Sequence, residues 1–97
     1  MSGAEDSEKY VVELAPAAVR DLKQLVKQLS PSRFDRIDRK IQALANDPRP
    51  PGCEKLSGTE NIYRIRDGDY RIIYQVSDRE RRVEIARVRD RKDVYRP

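Results

Sequence analysis

Apolar residues recur at helical spacing through the first half of the chain. Residues three and four positions apart share one face of a helix, so two apolar stripes predict two amphipathic helices. The first stripe follows Pro16 and consists of Ala18, Leu22, Leu25 and Leu29. Ser30-Pro31 interrupts it, and Ser32 is placed to cap a second helix. The second stripe consists of Phe34, Ile37, Ile41, Leu44 and Ala45. Asn46-Asp47-Pro48 ends it, which predicts a helical hairpin.

The second half changes to the alternating pattern of half-buried strands. A proline-rich loop, Pro48–Gly52, separates the two regimes. Asp67-Gly68 is a strong signal for a two-residue hairpin turn. The predicted strands are a short first one over Tyr10–Leu14, then Ile62–Arg66, Tyr70–Val76 and Val83–Val88. The order β-α-α-β-β-β predicts an α+β fold, with a twisted antiparallel sheet of about four strands and the helical hairpin packed on one face.

Length and composition indicate one folded domain. At 97 residues the chain has room for a single core, which we expect over residues 9–97 after a disordered lead-in at 1–8. Only 37% of the residues are apolar and 39% are charged. The apolar residues are clustered and periodic, however, which favours a folded chain over a disordered one.

The positive charge is concentrated near the C-terminus. The formal net charge is +4, and residues 1–61 contain ten basic and ten acidic residues. Residues 62–97 contain the other eleven basic residues and seven acidic ones, and ten of those eleven are arginine. Arginine suits phosphate because its planar fork donates two parallel hydrogen bonds. The excess indicates either a basic face for an anionic partner or a solvated surface of mixed charge.

Several familiar chemistries lack their residues. The chain has no histidine, and Cys53, its only cysteine, has no imidazole to activate it and no partner for an intrachain disulfide. No carboxylate cluster has metal-ligand spacing, and no glycine-rich phosphate loop is present, so neither a metal nor a cofactor is expected. No apolar run approaches a membrane span, and the N-terminus is polar and acidic, so we expect a cytoplasmic protein without a membrane partner.

Strand alternation brings several of the arginines to one face of the predicted sheet. Arg64 and Arg66 point the same way, and Arg71 points away from the apolar set that should face the helices. The Asp67-Gly68 turn would bring Arg71 near Arg64 or Arg66. On the last strand, the residues that alternate onto one face are Arg87, Arg89 and Arg91, with Tyr95 following. These cations could converge on an open sheet face. They could equally be surface residues paired with Asp67, Asp69, Glu84 or Asp93.

Four segments of the sequence resemble the RelE/ParE superfamily of bacterial toxins. The first is Lys55-Leu56-Ser57-Gly58, and the second is the hairpin from Tyr63 to Tyr74, Tyr-Arg-Ile-Arg-Asp-Gly-Asp-Tyr-Arg-Ile-Ile-Tyr. Val83-Glu84-Ile85 and the run Arg89–Tyr95 complete the set, and Val19-Arg20-Asp21-Leu22 fits the first helix of that family. The resemblance covers roughly residues 9–97. The hairpin is specific to the superfamily but does not separate its branches.

The resemblance implies a site for a ribosome-dependent endoribonuclease of the RelE type. Toxins of this type have two basic residues before the hairpin turn, matching Arg64 and Arg66, and an arginine after the tyrosine of the turn, matching Arg71. They add an arginine shortly before a C-terminal tyrosine, matching Tyr95 with either Arg89 or Arg91. We take these six residues as candidate catalytic residues. The further candidate RNA contacts are Lys55, Arg87 and Lys92.

The implied reaction is metal-free attack of a 2′-hydroxyl on the adjacent phosphate of messenger RNA. Arg71 would clamp the phosphate, Arg64 or Arg66 would stabilise charge and help deprotonate the hydroxyl, and Arg89 or Arg91 would serve the leaving oxygen. Tyr95 would stack on a base or close the edge of the core. Two departures from relatives matter. Lysine is common where this chain has arginine, and Asp90-Arg91 stands where many have His-Arg, which removes histidine acid–base chemistry.

The resemblance also implies partners and leaves two other functions open. A monomeric toxin would form a hetero-oligomer with a RelB-like antitoxin and act on the ribosome and its mRNA. A ParE-type toxin has the same fold but poisons DNA gyrase, usually without the basic set. The missing lysine and histidine also keep open a catalytically inactive binding module.

Overall fold

The computed structural model describes residues 9–56, 58 and 61–90. Two helices and five strands follow one another along this part of the chain. Their bounds are β1 Val11–Leu14, α1 Pro16–Gln28, α2 Pro31–Ala43, β2 Glu54–Lys55, β3 Ile62–Asp67, β4 Tyr70–Ser77 and β5 Arg82–Asp90. Both predicted helices and all four predicted strands are present. The α+β fold class is confirmed.

Both helices begin at a proline, where the missing N–H costs nothing because the first turn has no acceptor for it. Pro16 starts α1 after Ala15, and Pro31 starts α2 after Ser30. The cap of α2 is Ser30 rather than Ser32, since Ser30 Oγ accepts from the Arg33 backbone N–H at 3.2 Å. Extended backbone at Ser30 turns its hydroxyl back over the first turn. Among the described helices, neither is long and apolar enough to cross a membrane.

The strands form one sheet in the order β1-β5-β4-β3-β2. It differs from the prediction in two ways. β2 is an additional strand of two residues, too short for an alternating pattern to reveal. β1 also runs parallel to β5, whereas the other pairs are antiparallel. Alternation identifies the buried face of a strand but not its direction in the sheet, so the sequence pattern could not show this.

The core lies between the sheet and the two helices. From the helices it takes Ala18, Leu25, Ile37, Ile41 and Leu44, and from the sheet Tyr63, Ile65, Ile72, Tyr74, Val76, Val83, Ile85 and Val88. β5 changes parity within this set. Ile73 pairs with Arg87 whereas Tyr74 pairs with Ile85, so Ala86 is an extra residue in β5. This bulge returns Val88 to the core and leaves Arg89 on the face without helices.

The loop between α2 and β2 is fastened to the sheet by Arg49. Its guanidinium makes two hydrogen bonds to the Asp78 carboxylate, at 3.1 and 2.9 Å, and its Nε donates to the Tyr63 hydroxyl at 2.9 Å. The Tyr74 hydroxyl donates to the Pro48 carbonyl at 2.7 Å. The Arg49 hydrogen bonds hold the pKa of the Asp78 carboxyl below its ordinary value. These hydrogen bonds hold the proline-rich loop in one position beside β3.

Candidate functional site

Three arginines stand side by side across three neighbouring strands. Arg66 and Arg71 are partners across β3 and β4, and Arg71 and Arg89 are partners across β4 and β5. Their strand neighbours Ile65, Ile72 and Val88 are buried against the helices. Because successive side chains point to opposite faces, the three guanidinium groups leave from the face without helices. We call Arg66, Arg71 and Arg89 the arginine row.

Two members of the arginine row have no counter-charge bound to them in the described part of the chain. Neither Arg66 nor Arg71 forms an ion pair or a side-chain hydrogen bond there. Arg66 is exposed, but Arg71 is only 9% exposed, and its buried Nε has no hydrogen-bond partner in this part of the protein. Burying the Arg71 guanidinium with an unsatisfied N–H costs free energy, and a bound anion would accept that hydrogen bond and balance the charge.

Arg64 lies two residues before Arg66 on the same face of β3, and unlike Arg66 it forms an ion pair. Its partner across the β2–β3 pair is Glu54, and its Nη2 donates a hydrogen bond to the Glu54 carboxylate. This hydrogen bond and the Arg64 charge hold the pKa of the Glu54 carboxyl below its ordinary value, and the charges of Arg66 and Arg71 add to the effect. Glu54 is thus a carboxylate at the border of the arginine row, ionised at neutral pH.

Glu54 did not emerge from the sequence, because β2 is too short to be recognised and the pairing with Arg64 depends on it. The only signal was its place directly before the Lys55-Leu56-Ser57-Gly58 segment. That position shows neither its face nor its partner.

Arg87 is drawn towards α1 instead of towards the arginine row. Its Nε lies 2.8 Å from Asp21 Oδ2, and the same oxygen accepts from the Val88 backbone N–H at 2.9 Å. Burial alone would raise the pKa of the Asp21 carboxyl, but the Arg87 and Val88 hydrogen bonds and the Arg89 charge bring it below its ordinary value. Asp21 therefore fixes β5 directly beyond the bulge and next to Arg89.

Of the remaining four candidate residues, the structure describes only Lys55. Lys55 is an exposed residue of β2, one step along the strand from Glu54. Arg91, Lys92 and Tyr95 lie outside the described residues, so their roles remain predictions.

The β3–β4 turn, which sets the register of Arg66 and Arg71, is fastened to α2 by Asp67. Asp67 is buried, with 4% of the residue exposed. Its Oδ1 lies 3.0 Å from Arg36 Nη2 and 3.3 Å from Arg33 Nη1. Arg33 Nη2 also donates to the Asp67 carbonyl at 2.7 Å. Asp67 therefore pairs with arginines of α2 and not with Arg66 or Arg71.

The arrangement as a whole is suited to binding a phosphate. Adjacent guanidinium groups on one sheet face present several N–H donors to an anion. Among the described residues, no group of three or more histidine, cysteine, aspartate or glutamate residues could hold a metal ion.

Comparison with known proteins shows that the sequence is similar to toxins of type II toxin–antitoxin systems. Residues 12–95 match the family described as the ParE toxin of the type II toxin–antitoxin system parDE. Toxin RelE of Mycobacterium tuberculosis is 30% identical over 91 residues, which cover 94% of this chain and 91% of that protein. Putative toxin RelE1 of Methanocaldococcus jannaschii is 29% identical over 91 residues, covering 91% of this chain and 97% of that protein.

Solved structures of RelE toxins have the same fold as this chain. The archaeal RelE–RelB complex from Pyrococcus horikoshii contains a chain that superposes with a TM-score of 0.71 at 28% identity, covering 86% of this chain and 96% of that one. The toxin–antitoxin complex RelBE2 from Mycobacterium tuberculosis gives a TM-score of 0.67 at 27% identity, covering 86% and 99%. From its sequence and its fold, this chain belongs to the RelE/ParE toxin family of type II toxin–antitoxin systems.

Proposed function

We propose that this chain is a ribosome-dependent endoribonuclease that cleaves messenger RNA and thereby stops translation. The observation that carries the proposal is the arginine row, with Arg66 and Arg71 directly opposite each other and bound to no carboxylate in the described part of the chain. A phosphodiester is the anion that such a row would bind on an extended face. The family membership supports a toxin, and the row supports this chemistry for it.

The proposed reaction is attack of a ribose 2′-hydroxyl on the adjacent phosphate. The new O–P bond forms as the bond to the 5′-oxygen breaks, leaving a 2′,3′-cyclic phosphate and a 5′-hydroxyl. Arg71 binds the non-bridging oxygens, since it is central in the row, and Arg66 adds charge stabilisation as the phosphorane forms. Arg89 stabilises the negative charge on the leaving 5′-oxygen, which takes a proton from water to become the 5′-hydroxyl. Arg91 and Tyr95 keep the roles predicted for them, the first as the alternative to Arg89.

The proton of the 2′-hydroxyl needs an acceptor, and a guanidinium cation is a poor one because all its hydrogen-bonding groups are donors. Arg64 is moreover hydrogen-bonded to Glu54. We assign the acceptor role to the Glu54 carboxylate, which stands beside the row and is ionised at neutral pH. Its lowered pKa makes it a weak base, so orientation must supply much of the rate.

Dependence on the ribosome follows from that weakness. Free RNA rarely presents a 2′-hydroxyl in line with its leaving group, whereas a codon held bent in the decoding site would do so. Effective molarities of about 10⁵–10⁸ M are available from such orientation. In this reaction the arginine charges take the place of a metal ion. The protein would act in the cytoplasm, where translating ribosomes are found.

The proposed partner in the resting cell is a RelB-type antitoxin. Two similar structures are complexes of a RelE toxin with its RelB antitoxin or of the RelBE2 pair, at 28% and 27% identity. We propose a hetero-oligomer with such a protein, which prevents access of mRNA to the arginine row.

Gyrase poisoning is the second candidate because the matching family carries the ParE name. A gyrase poison does not need adjacent unpaired arginines on an open face, which is why the nuclease is preferred. A supercoiling assay with purified gyrase distinguishes the two activities.

The test is an in vitro translation reaction, with primer extension on the mRNA. Cuts in ribosome-bound mRNA, absent from the same mRNA without ribosomes and strongly reduced with Arg71→Ala, would establish the nuclease. Intact mRNA together with inhibited supercoiling would transfer the assignment to gyrase. Comparable cleavage of naked RNA would remove the ribosome from the proposal.

A further inference from the structure

The tip of the β3–β4 hairpin is held by three cations of α2. Arg33, Arg36 and Lys40 are three and four positions apart, so they lie on one face of the helix. Each of them donates a hydrogen bond to one of the last two residues of β3, Arg66 and Asp67. We call these three cations the α2 clamp.

The α2 clamp binds two consecutive backbone carbonyls of β3. Lys40 Nζ donates to the Arg66 carbonyl at 2.6 Å, and Arg33 Nη2 donates to the Asp67 carbonyl at 2.7 Å. The Arg33 guanidinium also lies over the Tyr70 ring, with Cζ 5.3 Å from the ring centroid, so it contacts both strands of the hairpin. The clamp therefore fixes the backbone at the tip as well as the Asp67 side chain.

The hairpin has little other support at this end. β2 pairs only with Tyr63 and Arg64, so the stretch of β3 from Ile65 to Asp67 has no strand on its outer edge in the described part of the chain. The like charges of Arg66 and Arg71 also disfavour pairing across the hairpin. The hydrogen bonds of the α2 clamp take the place of a neighbouring strand and oppose this repulsion.

Lys40 is the member of the clamp whose effect can be separated from folding. Its hydrogen bond to the Arg66 carbonyl is exposed, so water can replace the ammonium group there. Asp67 is buried instead, and loss of Arg33 or Arg36 would leave its carboxylate short of a cation. Removing Lys40 should therefore release the backbone at Arg66 with little effect on unfolding.

We infer that Lys40 is a positioning residue of the phosphate site. By binding the Arg66 carbonyl it fixes the backbone from which the Arg66 side chain leaves, and thereby the place of the Arg66 guanidinium beside that of Arg71. The inference rests on the proposed function, which assigns Arg66 and Arg71 to the phosphate. Lys40 acts on the RNA through Arg66 and not by contact. In such a site a displacement of about 1 Å lowers a rate by about 10²-fold.

The test compares two substitutions of Lys40. Lys40→Met keeps most of the stem and removes the donor, whereas Lys40→Arg restores a cationic donor. Arg39→Met, which removes the same charge from α2 at a position paired with Asp35, is the matched control. The measurements are the single-turnover cleavage rate at saturating ribosomes, the ribosome concentration for half that rate, and the urea midpoint with and without inorganic phosphate.

We expect Lys40→Met to cleave about 10-fold to 100-fold more slowly at saturating ribosomes. Its half-saturating ribosome concentration and its urea midpoint without phosphate should match wild type. Inorganic phosphate should raise the urea midpoint of wild type, because it binds between Arg66 and Arg71, and should raise that of Lys40→Met less. Lys40→Arg should recover most of the rate and of the phosphate response, and Arg39→Met should match wild type throughout.

Other results would overturn the inference. A higher half-saturating concentration at an unchanged maximal rate would make Lys40 a charge that steers binding. A lower urea midpoint of Lys40→Met without phosphate would make its role structural.

The two readouts separate this inference from the proposed function. Equal cleavage rates and equal phosphate responses in wild type and Lys40→Met would remove the positioning role and keep the nuclease. A phosphate response lost in Lys40→Met, with cleavage by none of the proteins, would remove the nuclease and keep the positioning role.

Discussion

Arg66 lies directly opposite Arg71 across the β3–β4 hairpin, so two cations occupy one cross-strand position on the open face of the sheet. Like charges in this relationship disfavour pairing by roughly 0.2–1 kcal/mol. Arg71 is also mostly buried, with its Nε lacking a hydrogen-bond partner in the described part of the chain. The fold thus keeps an unfavourable interaction that a bound phosphate would relieve, which is typical of a functional site.

Arg71→Ala should slow cleavage of ribosome-bound mRNA by two to three orders of magnitude, about 10²–10³-fold. Arg71 is the central cation of the row, and loss of one such stabilising group lowers a rate by about 10²–10³-fold. Arg71→Lys should recover only part of the rate, because lysine keeps the charge but not the forked geometry. Single-turnover primer extension measures both. Arg20→Ala, exposed on α1, is the control and should cleave like wild type. Wild-type rates for Arg71→Ala would contradict the role of the phosphate clamp.

Arg66→Gln should stabilise the protein while weakening the nuclease. It removes one of two opposed charges but keeps most of the side-chain stem, so the free energy of unfolding should rise by roughly 0.2–1 kcal/mol. Urea denaturation measures this difference. Added sulfate should reduce it, since an anion between Arg66 and Arg71 relieves the same repulsion in wild type. A destabilised Arg66→Gln, unaffected by sulfate, would show that the two charges do not repel each other appreciably.

Glu54→Gln should slow cleavage with little loss of ribosome binding. The amide can still accept the Arg64 hydrogen bond but cannot take the 2′-hydroxyl proton, and general-base catalysis contributes about 10²–10⁴-fold. Single-turnover rates and ribosome co-sedimentation separate the two effects. Glu84→Gln, an exposed position on β5, is the matched control. An unchanged rate in Glu54→Gln would mean that another group accepts the proton and that Glu54 only pairs with Arg64.

The hairpin part of the site could be predicted from the sequence because its determinants are local. The two-residue turn consists of Gly68 and Asp69, one position later than the predicted Asp67-Gly68. It fixes which residues of β3 and β4 face each other, and alternation assigns their faces. The sequence left open whether Arg71 meets Arg64 or Arg66, because the turn could be counted in more than one way. The observed register selects Arg66.

The contacts that support the row could not be predicted, because they join distant segments. Asp21 reaches Arg87 across 66 positions of the chain, and β2 joins the sheet with two residues. The Ala86 bulge also interrupts the alternation in β5 without any glycine to mark it. Periodicity describes one element at a time, so pairings between elements of this kind remain invisible to it.

Gly68→Ala should destabilise the protein more than Gly52→Ala. Both glycines have positive φ, 62° and 91°, and alanine at such a position costs about 1–2 kcal/mol. Only at Gly68 would the new Cβ meet another group, Arg33 Nη2 at 2.6 Å. Moving that guanidinium would disturb its hydrogen bond to the Asp67 carbonyl, adding about 1 kcal/mol. Equal losses in urea denaturation for the two variants would mean that Arg33 moves aside freely.

Asp21→Asn should lower stability in a way that disappears in acid. The Asp21 side chain is 17% exposed and accepts from Arg87 and from the Val88 backbone, so losing its charge should cost about 1–2 kcal/mol at pH 7. Because folding lowers the pKa of this carboxyl, its contribution is fully present above the ordinary value of 3.8 and is lost as pH falls through the folded-state pKa. The gap between wild type and Asp21→Asn, measured by urea denaturation from pH 7 downwards, should therefore close below that value. Asp69→Asn, at the exposed hairpin turn, is the control and should match wild type throughout. A gap that persists unchanged in acid would show that packing, rather than the charge on Asp21, fixes β5 beside Arg89.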